Sequence, residues 1–312
     1  MLDFLKQTFK EFSEDRCTTL AASLAYYTIF SLPPLLFILV TVVSFGLSVT
    51  TESEKAEQRA QEVIQQQAAG MLGNESASSM IESILENRKN DQGSWWKTGI
   101  SIIGIIIGAT GVVAALQDSL NRVWQVKADP KAGGGWLSII TKRLLSLSMI
   151  LGLGFILLVS LVLTALLTGV SERLMGAIGI HAGLGQVINY VVQFLIILVV
   201  FAALFRFMPD AIIRWRDVLV GAFATAVLFM VGQLVLHWYL ASSDPGQQLG
   251  SAAGSVAVVL IWIYYSALIL LFGAEVTQVY AQRYGDGVKP EPHAVQFEEK
   301  ITSKGDSSAQ SA

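Results

Sequence analysis

Charge is what this sequence has least of. Asp, Glu, Lys and Arg make up only 14% of its 312 residues, against roughly 25% in a typical soluble chain. That is too little polar surface for a water-soluble fold of this size, so most of the chain meets a solvent other than water. Cysteine is nearly absent too. The single Cys17 excludes an intramolecular disulfide framework and a cysteine-rich zinc or iron–sulfur centre. The three histidines, at 181, 237 and 293, are scattered. None stands with acidic residues at metal-ligand spacing, so neither metal nor cofactor is expected. A formal net charge of −3 offers no basic surface, which argues against nucleic acid as a partner. There is no Walker motif and no Ser-His-Asp set, and no catalytic residue is nominated.

Long apolar runs take the place of what is missing. No Asp, Glu, Lys or Arg occurs in residues 17–51, 98–117, 144–171, 174–205, 218–243 or 245–274. Each run can supply the roughly 20 helical residues that cross a bilayer. A charge at a span centre costs about 2.5–3.5 kcal/mol on the insertion scale, which accounts for its exclusion. Hydrocarbon offers no water to backbone amides, and the alternating ten-residue segments of a barrel are absent. The expected fold is therefore all-α: a polytopic membrane protein with six spans, at about 18–49, 98–118, 143–169, 184–207, 217–240 and 252–280.

Lys and Arg set the orientation. With the N-terminus inside, 15 of the 21 fall in cytoplasmic segments, so both termini are expected in the cytoplasm. Trp95, Trp96 and Trp238 then mark the outer interface, and Trp124, Trp136 and Trp215 the inner one. Residues 1–16 mix both signs of charge and are not a cleavable signal. Leu2, Leu5, Phe9 and Phe12 recur at helical spacing, which predicts an amphipathic helix on the membrane surface. Residues 17–284 form the membrane domain. Its outer insert, 52–97, carries the helical stripes Ala60–Val63–Ile64–Ala68–Met71 and Ala77–Met80–Ile81–Ile84–Leu85, which predict a hairpin laid over the spans. Residues 285–312 are rich in Ser, Gly, Pro, Lys and Glu, and a disordered tail is expected.

The functional signals lie within the spans. The first charge-free run has 35 residues and would be about 52 Å long as one helix, well beyond a hydrocarbon core of about 30 Å. Pro33 and Pro34 near its middle remove two amide donors, so a break is expected there. Such breaks are either structural kinks or parts of a transporter's substrate path. On the second reading Pro33, Pro34, Tyr26, Tyr27, Trp262 and Tyr264 are candidate path residues, with Tyr265 in the same aromatic band. At the inner helix ends, Asp118, Asn121, Arg122, Arg143, Arg206, Asp210 and Glu275 are expected to form one polar network. Charges at that depth usually face the bundle interior and pair. Three small residues, Gly104, Gly108 and Gly111, read as a helix-packing face, and Gly133–Gly135 as a hinge.

Several stretches resemble one family. They are Ala21–Tyr27, Ser31–Leu35, Asp118–Trp124, Phe205–Asp210, Trp215–Asp217 with Gly221–Ala222, Trp262–Tyr264 and Gly273–Glu275. In this order they are similar to the YihY/virulence factor BrkB family of bacterial inner-membrane proteins, historically labelled ribonuclease BN. Where that family usually has an aromatic residue before the glycine opening span six, this chain has Leu249 before Gly250. The resemblance implies a multi-pass protein of the bacterial inner membrane, tied to envelope integrity, with lipid or small-molecule export suspected.

Three functions compete. The first is a transporter or flippase of a lipid-like, amphiphilic, anionic envelope molecule. The second is a non-transporting envelope or assembly factor whose insert at 52–97 meets a periplasmic partner. The third, a nuclease, lacks both a metal constellation and a basic groove, so an enzyme is not expected. Membrane lipids are the expected partners, and a homo-oligomer is compatible with the sequence.

Overall fold

The computed structural model describes residues 2–48, 55, 58–62, 64, 111–129, 182–243, 251–292 and 294–297. Helix α1 (Leu2–Glu14) is followed by α2 (Cys17–Ser48), a helix α3 at 111–123 and strand β1 (Val126–Ala128). Then come α4 (Ala182–Phe207), β2 (Ala211–Ile212), α5 (Trp215–Ser243), α6 (Ser251–Tyr284), β3 (Lys289–Pro290) and β4 (Ala294–Gln296). Segments within α4, α5 and α6 are long and apolar enough to cross a membrane.

The exposed surface of these helices identifies their solvent. Leu219, Phe223, Val227, Val231 and Val235 lie exposed at four-residue intervals along α5, and Val187, Val191, Leu195 and Val199 do the same along α4. Whole faces of large apolar side chains left outward would be costly in water and are at home in hydrocarbon.

Helix α6 is the hub, packing against α5, α2 and α1, while α4 packs against α5. The α5–α6 seam is built from a reciprocal motif. Gly221 and Thr225 on α5 face Gly273 and Thr277 on α6, and a Cβ on either glycine would collide with the opposing threonine Oγ1. Each threonine hydroxyl turns back to its own helix: Thr225 Oγ1 donates to the Gly221 carbonyl at 2.7 Å and Thr277 Oγ1 to the Gly273 carbonyl at 2.9 Å. The polar atoms are thus satisfied within each helix while the two backbones approach closely. Further along, Gly232 makes room for the Tyr265 ring, whose hydroxyl donates to the Leu228 carbonyl at 3.4 Å.

Two sequence expectations change here. Helix α2 runs as one element from Cys17 to Ser48, through Pro33 and Pro34, so the expected break is absent. Proline costs a helix one amide donor each, and membrane helices tolerate that loss where neighbours re-satisfy the freed carbonyls. The tail, expected to lack structure from Gly285, carries two short strands, Lys289–Pro290 and Ala294–Gln296. Strand β4 pairs antiparallel with β1 in the register Val126↔Gln296, Lys127↔Val295 and Ala128↔Ala294. Strand β3 pairs with β2 through Ala211↔Pro290 and Ile212↔Lys289. Composition alone undervalued this segment, because its partners are backbone edges far away in sequence.

One end of the bundle therefore collects the α1–α2 turn, the end of α3, the α4–α5 connection and the tail. We call this end the base. Of the expected insert, residues 55, 58–62 and 64 are helical, with Ala60 and Ile64 buried. Its second stripe, the third span, the Gly104–Gly108 pair and the hinge at 133–135 lie outside the described residues.

Candidate functional site: the polar base of the bundle

Each helix ends at the base through identifiable chemistry. Helix α1 stops at Glu14, and Arg16 takes the left-handed conformation (φ 52°) that turns the chain into α2. Helix α3 ends the same way, with Gln125 at φ 54°. Helix α6 closes on Ala281, whose carbonyl accepts from the amides of Gly285 and Gly287. Gly287, at φ 72°, adopts the left-handed geometry without the steric penalty of a side chain. These turns bring four groups of polar side chains together.

The first group links α3 to the α4–α5 connection. Asn121 Nδ2 donates to Asp210 Oδ2 at 2.8 Å, and the Asp210 amide donates back to Asn121 Oδ1 at 2.8 Å. Gln117 Nε2 donates to Asp210 Oδ1 at 3.0 Å. Both carboxylate oxygens and both ends of the Asn121 amide are thereby satisfied. The Asp210 carbonyl also accepts from the Glu291 amide at 3.0 Å, which fastens the tail to the same corner.

The second group centres on Glu275. This side chain is fully enclosed (0% exposed) in the middle of α6's lower half. The Cys17 thiol, equally buried, donates to Glu275 Oε1 at 3.3 Å. Asp15, in the turn before α2, and Glu11 on α1 both act on Glu275 electrostatically. Arg122 is the cation whose field reaches Cys17. Gln278 and Thr277 are buried beside it on α6, and Trp124 Nε1 donates to the Ala274 carbonyl at 3.3 Å. Phe9 and Phe12 of α1 pack on Phe272 with ring centroids 5.1 and 5.8 Å away. Helix α1 thus lies over Glu275 with apolar side chains on one flank and Asp15 on the other.

The third group is Arg206, whose Nη1 donates to the Ile213 carbonyl and whose guanidinium sits 5.9 Å from the Trp215 ring centroid. It closes the α4–α5 connection. The fourth is Arg214, paired with Asp217 at 3.1 Å and with Asp286 at 3.2 Å. The Asp217 hydrogen bond holds the Arg214 guanidinium above its ordinary pKa, so it stays charged.

The contacts described above put residues of the expected network in different sets. Asn121 and Asp210 come together, Glu275 belongs with Cys17 and Asp15, and Arg206 stands in a third set. The reason is angular. Successive residues on a helix diverge by about 100°, so Asn121 faces Asp210 while Arg122 faces the Cys17 side. Asp118 is exposed on α3, and Arg143 lies outside the described residues. The aromatic band divides likewise. Tyr26 and Tyr27 are 59% and 48% exposed and pair with each other, and Tyr26 also packs on Phe30. Trp262 is buried against Phe229 at 5.2 Å and Tyr265 at 6.1 Å, and Tyr264 packs on the main core. No ring contact joins the two sets among the described residues. The Pro33 and Pro34 side chains are outside those described.

Sequence reasoning passed over Gln117, Asp15, Cys17 and Arg214. Gln117 and Asn121 are four apart on α3 and share a face, and Arg214 and Asp217 are three apart. Both spacings were readable signals. Nothing in the sequence tied Cys17 to a residue 258 positions away.

The profile of the family described as Virulence factor BrkB matches residues 8–298. This chain belongs to that family. It is 24% identical to the putative ribonuclease-like protein YfkH of Bacillus subtilis, over 90% of this chain and 96% of that protein. It is 26% identical to a UPF0761 membrane protein of Alcanivorax borkumensis, over 86% of this chain but only 58% of the relative. A UPF0761 membrane protein of Tolumonas auensis is also 26% identical, over 84% of this chain and 80% of its own length. No solved structure matches. Family membership and the apolar helix surfaces agree that this is a membrane protein.

Proposed function

We propose that this BrkB-family protein is a six-span protein of the bacterial inner membrane that moves a lipid-like, anionic amphiphile between leaflets. In this reading both termini lie in the cytoplasm and the base is the cytoplasmic face of the translocation route. The reading rests chiefly on Glu275. An ionisable side chain fully buried in a helix of membrane-spanning character costs several kcal/mol. Apolar packing would hold α6 equally well, so the carboxyl is kept for what it does.

Three further features support the proposal. Described parts of the segments assigned to the cytoplasm from their Lys and Arg content meet at the base, joined by β1–β4 and β2–β3. The polar side chains are not confined there: Gln193 Nε2 of α4 donates to Gln233 Oε1 of α5 at 3.3 Å, higher in the bundle. Helix α1 exposes Leu2, Leu5 and Phe9, a face suited to the membrane surface beside the base. We assign no catalysis. The word ribonuclease in the Bacillus relative's name has no matching constellation of residues in this sequence.

The test is reconstitution. The purified protein in sealed vesicles should translocate fluorescently labelled phosphatidylglycerol faster than protein-free vesicles do, and faster than it moves labelled phosphatidylcholine. Equal rates with and without protein would overturn the proposal. Equal rates for the two lipids would remove the anionic preference.

A further inference from the structure

We propose a second lipid site: the pocket between the start of α5 and the end of α6 binds the phosphate headgroup of an anionic phospholipid from the adjoining leaflet. The pocket has a volume of about 370 Å³ and is lined by Arg214, Arg216, Asp217, Tyr280 and Tyr284, within the size range of small-molecule sites.

Its lining carries two guanidiniums, Arg214 and Arg216, against one carboxylate, Asp217. Asp217, and Asp286 outside the lining, both pair with Arg214, at 3.1 and 3.2 Å. Asp217 is buried in doing so, and Arg214 also donates to the Tyr284 carbonyl at 3.3 Å. Gly285 allows this closeness, since a Cβ there would meet both the Arg214 guanidinium and the Asp217 carboxylate. Arg216 lines the same pocket, is exposed, and makes no ion pair or hydrogen bond with another described residue. The lining therefore presents one committed guanidinium as a wall and one uncommitted guanidinium as a ligand.

The surroundings favour a lipid over a soluble phosphate. Tyr284, which lines the pocket, and Trp215, next to Arg216 in sequence and packed on Phe207, are exposed, as aromatic residues are at a membrane interface. The apolar stripe of α5 starts beside it at Leu219 and runs away from the base through Phe223 and Val227. A phosphate held by Arg216 would leave its acyl chains on that stripe. Tyr280 and Tyr284, with ring centroids 5.1 Å apart, form the other wall.

This site is independent of translocation, because binding is read without any flux. Native mass spectrometry of the full-length protein in neutral detergent, titrated separately with phosphatidylglycerol, phosphatidylcholine and inorganic phosphate, tests it. Phosphatidylglycerol should bind about tenfold more tightly than phosphatidylcholine, because the choline cation of the latter offsets the phosphate charge that meets Arg216, and inorganic phosphate should bind weakly. Arg216→Gln should abolish the preference. Arg283→Gln, which removes an exposed charge that does not line the pocket, should keep it. Equal binding of the two lipids, a preference that survives R216Q, or equal loss in R216Q and R283Q would overturn the site. Inorganic phosphate binding as tightly as the lipid would overturn its assignment to a lipid.

Discussion

At the scale of single residues, the base is held by pairs whose atoms are matched one to one. Asn121 and Asp210 exchange two hydrogen bonds of 2.8 Å, and Gln117 takes the remaining carboxylate oxygen. Removing either partner strands groups that are largely withdrawn from solvent. Asn121→Ala and Asp210→Ala should each lower stability by about 1–3 kcal/mol. The double variant should lose little more than the worse single one, since both remove the same interaction. Thermal unfolding in detergent checks this, and additive losses would mean the pair does not act as a unit. The sequence showed both residues as candidates at an inner helix end. It did not show that Asn121 would reach Asp210 together with Gln117, because direction around a helix depends on where the neighbouring helices stand.

At the scale of elements, close approach of α5 and α6 depends on absent side chains. Gly221→Ala would drive a methyl into Thr277 Oγ1 and the Gly273 carbonyl. Backbone cannot yield as a flexible side chain can, so a loss of about 1–3 kcal/mol is expected. Gly111→Ala is the control, because among the described residues the nearest atom to its Cβ, Ser31 Oγ, is 4.0 Å away. It should leave the unfolding temperature unchanged. Equal behaviour of the two variants would contradict the packing described for the seam. Elements were the most legible level in the sequence. Charge-free runs gave α4, α5 and α6 to within a few residues, since burial in lipid leaves a signal in composition. Helix α2 was legible in extent but not in continuity through its prolines, because the partners that accept a freed carbonyl come from elsewhere in the chain. The G-x-x-x-T pairs at 221–225 and 273–277 were present to be read, but only the fold places one against the other.

At the scale of the whole molecule, the tail ties the base together across long sequence distances. Val126 and Gln296 face one another in the β1–β4 register, and the Phe297 amide donates to the Gln125 carbonyl at 2.9 Å. Cysteines at Val126 and Gln296 should crosslink under mild oxidation, with little background because the native Cys17 is buried. No crosslink in the folded protein would contradict the pairing. The proposed orientation has its own check. A cysteine in place of Ser53 should react with an impermeant maleimide in intact spheroplasts, and labelling seen only after lysis would reverse the topology. The account as a whole turns on Glu275 being retained for function and not for folding. The most direct measurement compares Glu275→Gln with the native protein in both unfolding temperature and vesicle translocation of phosphatidylglycerol. The amide keeps an oxygen for the Cys17 thiol and removes the ionisable carboxyl, so stability should hold within about 1 kcal/mol while translocation falls at least about tenfold. A variant that is less stable yet still translocates at the native rate would contradict the account.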